Sequence, residues 1–218
     1  MEQRSLGSGG PKVSVLGLGC NNFGGRCDFE ATRAVVEKAL DLGVTLFDTA
    51  DNYGGGGSEA FLGRILGPHR KEVVIATKFG IVGGASPRHV LASAEASLRR
   101  LNTSYIDLYQ LHRPDPATPI EETLGALDEL KRQGKVRRAG CSYLSGAEFE
   151  ASRAAAERYR FEPFTTCQNE MSLLVRDVER DLVPGMARHG AGFLPYLPLA
   201  GGLLTGKYRR GRPLPEGA

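Results

Sequence analysis

No stretch of this 218-residue sequence approaches the roughly 20 consecutive apolar residues of a helical membrane span. The first residues, Met1-Glu-Gln-Arg-Ser, carry no apolar signal core, and the expected location is cytoplasmic. Runs of like charge are missing too. The net charge is +3, and the basic residues come as pairs (Arg99-Arg100, Arg137-Arg138, Arg209-Arg210), too sparse for a nucleic-acid surface. Four cysteines, Cys20, Cys27, Cys141 and Cys167, show no CxxC or other metal spacing, so reduced, packed thiols are expected and no metal. Linkers and low-complexity segments are absent, which leaves one domain over residues 1–218.

What is present is an alternation. Short runs that are apolar on both faces recur at Val13–Gly19, Val44–Asp48, Val73–Lys78, Tyr105–His112, Val136–Ser142, Phe164–Asn169 and Gly192–Leu197. Such runs suit parallel strands covered by helices. Helical patterns lie between them. Val35, Val36, Ala39 and Leu40 make a stripe that stops at Gly43. Ser86-Pro87 reads as a cap followed by proline, and Thr118-Pro-Ile-Glu121 and Ser145-Gly-Ala-Glu148 read as capping boxes. The span Arg176–Arg188 is interrupted by Pro184-Gly185. Repeated β-α units leave two architectures, a doubly wound sheet or a (β/α)8 TIM barrel. A dinucleotide fingerprint would continue Gly17-Leu-Gly19 with a third glycine, but Asn22 stands there. The barrel is therefore expected, with about seven of its units present.

In a barrel, strand C-termini share one rim, where reactive side chains gather. Here the second strand ends on Asp48, the third on Lys78 and the fourth on His112, and Tyr53 follows Asp48 in the same loop. A free phenol, with a pKa near 10, is a poor acid. A neighbouring ammonium is expected to lower that value, so Lys78, held by Asp48, would activate Tyr53. His112, neutral with an ordinary pKa near 6.5, would hydrogen-bond the same substrate oxygen. An acid and an electrophilic pocket aimed at one oxygen suit a carbonyl that receives a hydride. His69, His89 and His189 are expected to play no part in it.

Phe47-Asp-Thr-Ala-Asp-Asn-Tyr53, Gly57-Ser-Glu-Ala-Phe-Leu-Gly63, Ala76-Thr-Lys78, Leu111-His-Arg-Pro-Asp115, Gly140-Cys-Ser142, Gln168-Asn-Glu170 and Pro198-Leu-Ala-Gly-Gly-Leu-Leu-Thr-Gly-Lys-Tyr208 together resemble the aldo-keto reductases, including their potassium-channel β-subunit branch. The resemblance runs over essentially the whole chain. It implies a (β/α)8 barrel that reduces an aldehyde or ketone with NADPH, NADH being possible. The implied tetrad is Asp48, Tyr53, Lys78 and His112, with Tyr53 as proton donor. By the same resemblance the cofactor meets Gly19, Cys20, Asn21 and Asp48. Ser142 and Gln168 bind its carboxamide, Tyr196 stacks on its nicotinamide, and Leu197, Pro198, Leu199, Ala200, Gly201 and Lys207 follow its pyrophosphate. The implied partner is a small carbonyl substrate, with no oligomeric state indicated.

The chain departs from the family pattern in three places. Tyr143 stands where Asn or Arg is common, and Leu197 stands where serine is common. An eighth strand and final helix, which in the family hold the adenosine and 2′-phosphate, have no counterpart before Ala218. Two edge strands, the first and seventh, are therefore expected, together with either a fragment or an impaired barrel. Two other readings stand beside the reductase: a nicotinamide-binding regulatory barrel without turnover, and a Schiff-base aldolase using Lys78.

Overall fold

The computed structural model describes residues 1–215; the end of the expected 1–218 domain, residues 216–218, lies outside the described residues. A short antiparallel hairpin, β1 (Gln3–Ser5) and β2 (Lys12–Ser14), comes first. Then strands and helices alternate: β3 (Gly17–Gly19), α1 (Phe29–Asp41), β4 (Leu46–Asp48), α2 (Gly57–Leu66), β5 (Val74–Phe79), α3 (Pro87–Leu101), β6 (Ile106–Leu111), α4 (Ile120–Arg132), β7 (Val136–Ser142), α5 (Gly146–Tyr159), β8 (Thr166–Glu170), α6 (Leu182–Arg188) and β9 (Gly192–Tyr196). β3 to β9 form one parallel sheet in strict chain order. Helices connect successive strands and the sheet curls on itself, which makes seven units of a (β/α)8 barrel. β3 and β9 are its edges.

The two-residue period of a strand sorts side chains between two cores. Leu46, Val74, Ala76 and Leu108 point into the curl, where they meet Leu6 and Val13 from the N-terminal hairpin. Phe47, Ile75, Phe79, Tyr109 and Leu111 face the helices and join Val36, Leu62, Leu66, Val90, Leu101, Leu124, Leu130 and Phe149. Each such side chain, fully buried, contributes about 1.5–3 kcal/mol. Gly63 is dictated by the approach of α2 to α3: a Cβ there would lie 2.5 Å from the Leu101 carbonyl carbon.

Local punctuation follows the sequence in most places. Asp28 caps α1 by accepting from the Ala31 N–H, and Ser145 and Glu148 form the expected reciprocal capping box on α5. Some expectations fail. The expected first strand, Val13–Gly19, divides into β2 and β3, because Val15 and Leu16 turn outward between the hairpin and the sheet. Val35 of the α1 stripe is exposed, while Thr32 packs inward. The Thr118 box does not form, since its hydroxyl donates to Asp115 Oδ2 instead (2.8 Å). Ser86 precedes α3 without a side-chain cap bond. The span Arg176–Arg188 holds a 3-10 turn (Asp177–Glu179) and then α6, whose first turn accommodates Pro184. Among the described residues no helix is long and apolar enough to cross a membrane.

Candidate active site

The inward parity that places Leu46, Val74 and Leu108 in the lower core places Asp48, Lys78 and Gln110 above them, with His112 just past β6. Asp48 and Lys78 sit on neighbouring strands, and Lys78 is opposite Gln110 in register. The His112 N–H donates to the Phe79 carbonyl (2.8 Å), which carries the sheet ladder one residue further. Tyr53 opens a tight 3-10 turn, Tyr53–Gly56. The segment before it is tied to the rim by the Thr49 N–H on the Ala76 carbonyl and the Asp51 N–H on the Lys78 carbonyl. Gly54, at φ +56°, lies against backbone. A Cβ there would be 2.6 Å from the Phe23 oxygen, so the turn depends on glycine.

Lys78 is fully buried and spends its three N–H groups on three oxygens. Asp48 Oδ2 is at 2.7 Å, the Thr49 carbonyl at 2.8 Å and Tyr53 Oη at 3.5 Å. Gln110 Nε2 donates to the other Asp48 oxygen at 3.2 Å. Burial alone would lower the Lys78 pKa, but Asp48 and then Tyr53 reverse this, and the ammonium is held above its ordinary value. The Tyr53 phenol is also raised. Burial pushes it up more strongly than Lys78 pulls it down. The expected lowering of Tyr53 is thus corrected: the ammonium limits a rise that burial dominates.

The His112 ring stands edge-on to Tyr53, with centroids 5.8 Å apart and planes at 81°. Burial, followed by Lys78 and Arg113, lowers its pKa to about 4. His112 is neutral at pH 7, as expected, but through a strong shift rather than at an ordinary value. Its Nδ1 is buried without a partner. The remaining histidines are bonded elsewhere, His69 to Glu72, His89 to Ser93 and His189 to Glu150.

The residues matched to a cofactor fall into three groups. Gly19 has open space where a side chain would be, Asn21 is exposed, and the Cys20 thiol is fully buried, its N–H donating to the Asp48 carbonyl (2.9 Å). Ser142, fully buried, donates to the Gln168 carbonyl at 2.6 Å. Tyr196 lies beside Tyr143, with ring centroids 5.2 Å apart and planes at 35°. The segment after β9 is mostly exposed and unusually coiled. Leu197 (φ +50°), Ala200 (φ +49°), Gly201 (φ +63°) and Gly202 (φ +102°) are all left-handed. It includes Pro198 and Leu199 and leads to Lys207, whose ammonium lies 5.0 Å from the Tyr208 ring centroid. No hydrogen bond joins this segment to Asp48, Tyr53, Lys78 or His112.

Some groups at the rim had not been singled out from the sequence. Gln110 was legible in the alternation Leu108, Gln110, His112. Arg113 places its guanidinium 4.6 Å above the Tyr143 ring. Behind the Tyr53 loop, buried Glu59 accepts from Thr77 Oγ1 (2.5 Å) and Arg100 Nε (2.7 Å). Burial, then Glu59, raises the nearby Asp51 carboxyl to about 6. The four cysteines are unbridged, and no group of three or more candidate metal ligands occurs among the described residues.

The aldo/keto reductase family model matches residues 15–217. The chain is 39% identical over 215 residues to a protein named as aldo-keto reductase 1 in Glycine max, covering 93% of this chain and 60% of that protein. It is 38% identical over 231 residues to one named as a voltage-gated potassium channel subunit beta in Schizosaccharomyces pombe, covering 99% and 66%. It is 36% identical over 228 residues to the L-glyceraldehyde 3-phosphate reductase of Escherichia coli K12, covering 98% and 66%. The chain thus spans about three fifths to two thirds of these relatives' lengths.

Proposed function

Because this chain belongs to the aldo/keto reductase family, we propose that its rim reduces an aldehyde or ketone to an alcohol, with Tyr53 as proton donor, in one barrel unit over residues 1–218. The observation that carries the reading is a fully buried Lys78 bonded at once to Asp48 and to the Tyr53 phenol.

Tyr53, with its pKa raised, keeps its proton throughout the neutral range. Giving that proton to a substrate oxygen leaves a phenolate 3.5 Å from a fixed ammonium. Asp48 orients the ammonium and balances its charge, and Gln110 orients Asp48. Neutral His112 has one N–H to offer the same oxygen. These donors are fixed before the charge appears, which is how preorganised sites stabilise developing alkoxides.

NADPH, or NADH in its place, supplies the hydride when bound. The residues present fit its nicotinamide half. Gly19 leaves open space, Tyr196 offers a ring face, and Ser142 and Gln168 line the inner wall. The left-handed run at Leu197 and Ala200–Gly202, with Pro198, Leu199 and Lys207, offers backbone donors and one cation to a pyrophosphate.

A Schiff-base role for Lys78 is disfavoured, since that chemistry needs a neutral, reachable amine, and Lys78 is buried, charged and fully bonded. A regulatory barrel is the second reading, favoured by the channel-subunit name of the Schizosaccharomyces pombe relative. Tyr53→Phe separates the two. With 4-nitrobenzaldehyde, the rate of NADPH oxidation should fall by about 10²–10⁴, while NADPH binding, followed by its fluorescence, persists. A variant keeping more than about a tenth of the rate would remove Tyr53 as the acid. Wild-type protein that binds NADPH but turns over no carbonyl would favour the regulatory reading.

A further inference from the structure

Arg113 is the cation at this rim for which the reaction above has no use. It directly follows His112, so its backbone is fixed by the same end of β6. Its side chain is exposed and nevertheless positioned, with the guanidinium 4.6 Å over the Tyr143 ring. Tyr143 in turn lies against Tyr196. Tyr143 is thus packed against both the Arg113 guanidinium and the Tyr196 ring.

The stack is built at some cost. Tyr143 holds φ at +61°, a left-handed conformation that a bulky residue rarely adopts, and its N–H is tied to the Gln168 carbonyl at 3.1 Å. The ring that carries the Arg113 guanidinium thus stands on an unusual backbone. Strain of this kind, at the lip of a reaction site, points to a use for the ring or for what rests on it.

Arg113 also has no anionic partner among the described residues. Asp115, two residues on, is fully engaged by the Ala85 and Ala117 N–H groups and the Thr118 hydroxyl. Asp48 is taken by Lys78 and Gln110. Glu170, at the end of β8 near Tyr196, forms no ion pair with Arg113. Within the rim, Lys78 and Asp48 cancel and His112 is neutral, which leaves Arg113, in no ion pair among the described residues, as the cation free to meet a ligand, with the unpaired Glu170 on the far side of the Tyr196 ring as its nearest opposing charge. A guanidinium stacked on a ring keeps its N–H edge free, and that edge matches the two oxygens of a carboxylate or phosphate.

We propose that Arg113 makes this site selective for small carbonyl substrates that carry an anionic group, a phosphate or a carboxylate. The proposal rests on the reductase reading for its substrate, but the anion-binding half of it can be tested without turnover.

The measurement is kcat/KM on matched pairs: succinic semialdehyde against butanal for carboxylate, and glycolaldehyde phosphate against glycolaldehyde for phosphate. The wild-type protein should prefer the anionic member of at least one pair, and which pair it is identifies the anion. In Arg113→Met the anionic-to-neutral ratio should fall about 10- to 100-fold, mostly through KM, as for a lost charge-assisted hydrogen bond. Arg113→Lys should recover part of it. Raising ionic strength should erode the wild-type preference and leave the methionine variant's ratio flat. A ratio unchanged within about twofold overturns the proposal. So does a loss confined to NADPH affinity, which would make Arg113 a cofactor group. If no aldehyde turns over, the reductase reading fails on its own. Calorimetry of glycerol 3-phosphate and of succinate against glycerol then decides. Tighter binding of either anion that disappears in Arg113→Met supports the anion site, and binding of both no tighter than glycerol overturns it.

Discussion

Replacing Lys78 with methionine tests the centre of the proposed mechanism. The side chain is fully buried, and methionine fills similar volume without the charge. At 3.5 Å and an effective dielectric near 20, an ammonium and a phenolate attract by about 5 kcal/mol. That is roughly three pKa units of phenolate stabilisation. If about half the charge has developed at the transition state, the loss is about 2–3 kcal/mol, or roughly 10²-fold in kcat. The sign of the pH effect is also fixed. Tyr53 already sits above its ordinary value because burial outweighs Lys78. Removing Lys78 takes away the opposing influence, so the phenol rises further and the basic limb of the rate profile moves to higher pH. Steady-state reduction of 4-nitrobenzaldehyde across the alkaline range reads both effects, with circular dichroism to check the fold. The variant also strips Asp48 of its counter-ion, so Lys78→Met with Asp48→Asn serves as control. A kcat within about fivefold of wild type, or a basic limb that moves down, would refute the assignment.

His112 titrates at about 4 rather than 6.5, so kcat/KM for reduction should show no inflection near pH 6.5. An inflection there would mean that the ring is less buried in solution than in the fold described here. The same shift has a stability consequence. Between pH 6.5 and about 4 the unfolded imidazole binds a proton that the folded one refuses. The urea midpoint should therefore drop as pH falls through that window, and His112→Gln should flatten that part of the dependence. Gly63→Ala should cost about 2–4 kcal/mol, because its new methyl meets the α3 backbone near Leu101 rather than a movable side chain. Urea unfolding at unchanged slope is the check, and an unaltered midpoint would mean that α2 and α3 separate cheaply.

The barrel was readable because its strands are apolar on both faces and its helices are punctuated, and because Asp48, Lys78 and His112 close three successive apolar runs. What the sequence concealed depends on competition between partners. Thr118 and Ser145 head equally good capping boxes, yet only Ser145 makes one, because Asp115 claims the Thr118 hydroxyl first. Gln110 is an ordinary strand residue by type, and only the approach of Asp48 from two strands away gives its amide a role. The directions of the Tyr53 and His112 shifts turn on burial depth, which no spacing reveals. Arg113 stands in the Leu111–Asp115 motif with nothing in the sequence to mark its neighbour, since the ring it covers belongs to a left-handed Tyr143 that side-chain identity does not announce. The divided first strand has the same origin: two apolar residues, Val15 and Leu16, face outward where the chain passes from hairpin to sheet.

The N-terminal hairpin bears on how the chain is made in the cell. Leu6 and Val13 fill the bottom of the curl. The turn between β1 and β2 reaches across to the far side of the sheet, where the Ser8 N–H meets the Gly190 carbonyl at 2.6 Å and the Arg138 guanidinium meets the Gly9 carbonyl at 3.0 Å. These partners are separated by about 130 and 180 residues of sequence. The hairpin precedes these partners in the chain, so on a translating ribosome it must wait, apolar side chains uncovered, until β9 has been synthesised. Its docking is then one of the last steps of folding, of the slow, non-local kind that lengthens exposure to aggregation. The Gln3–Ser14 hairpin is thus a segment that a chaperone would find long unprotected on this nascent chain.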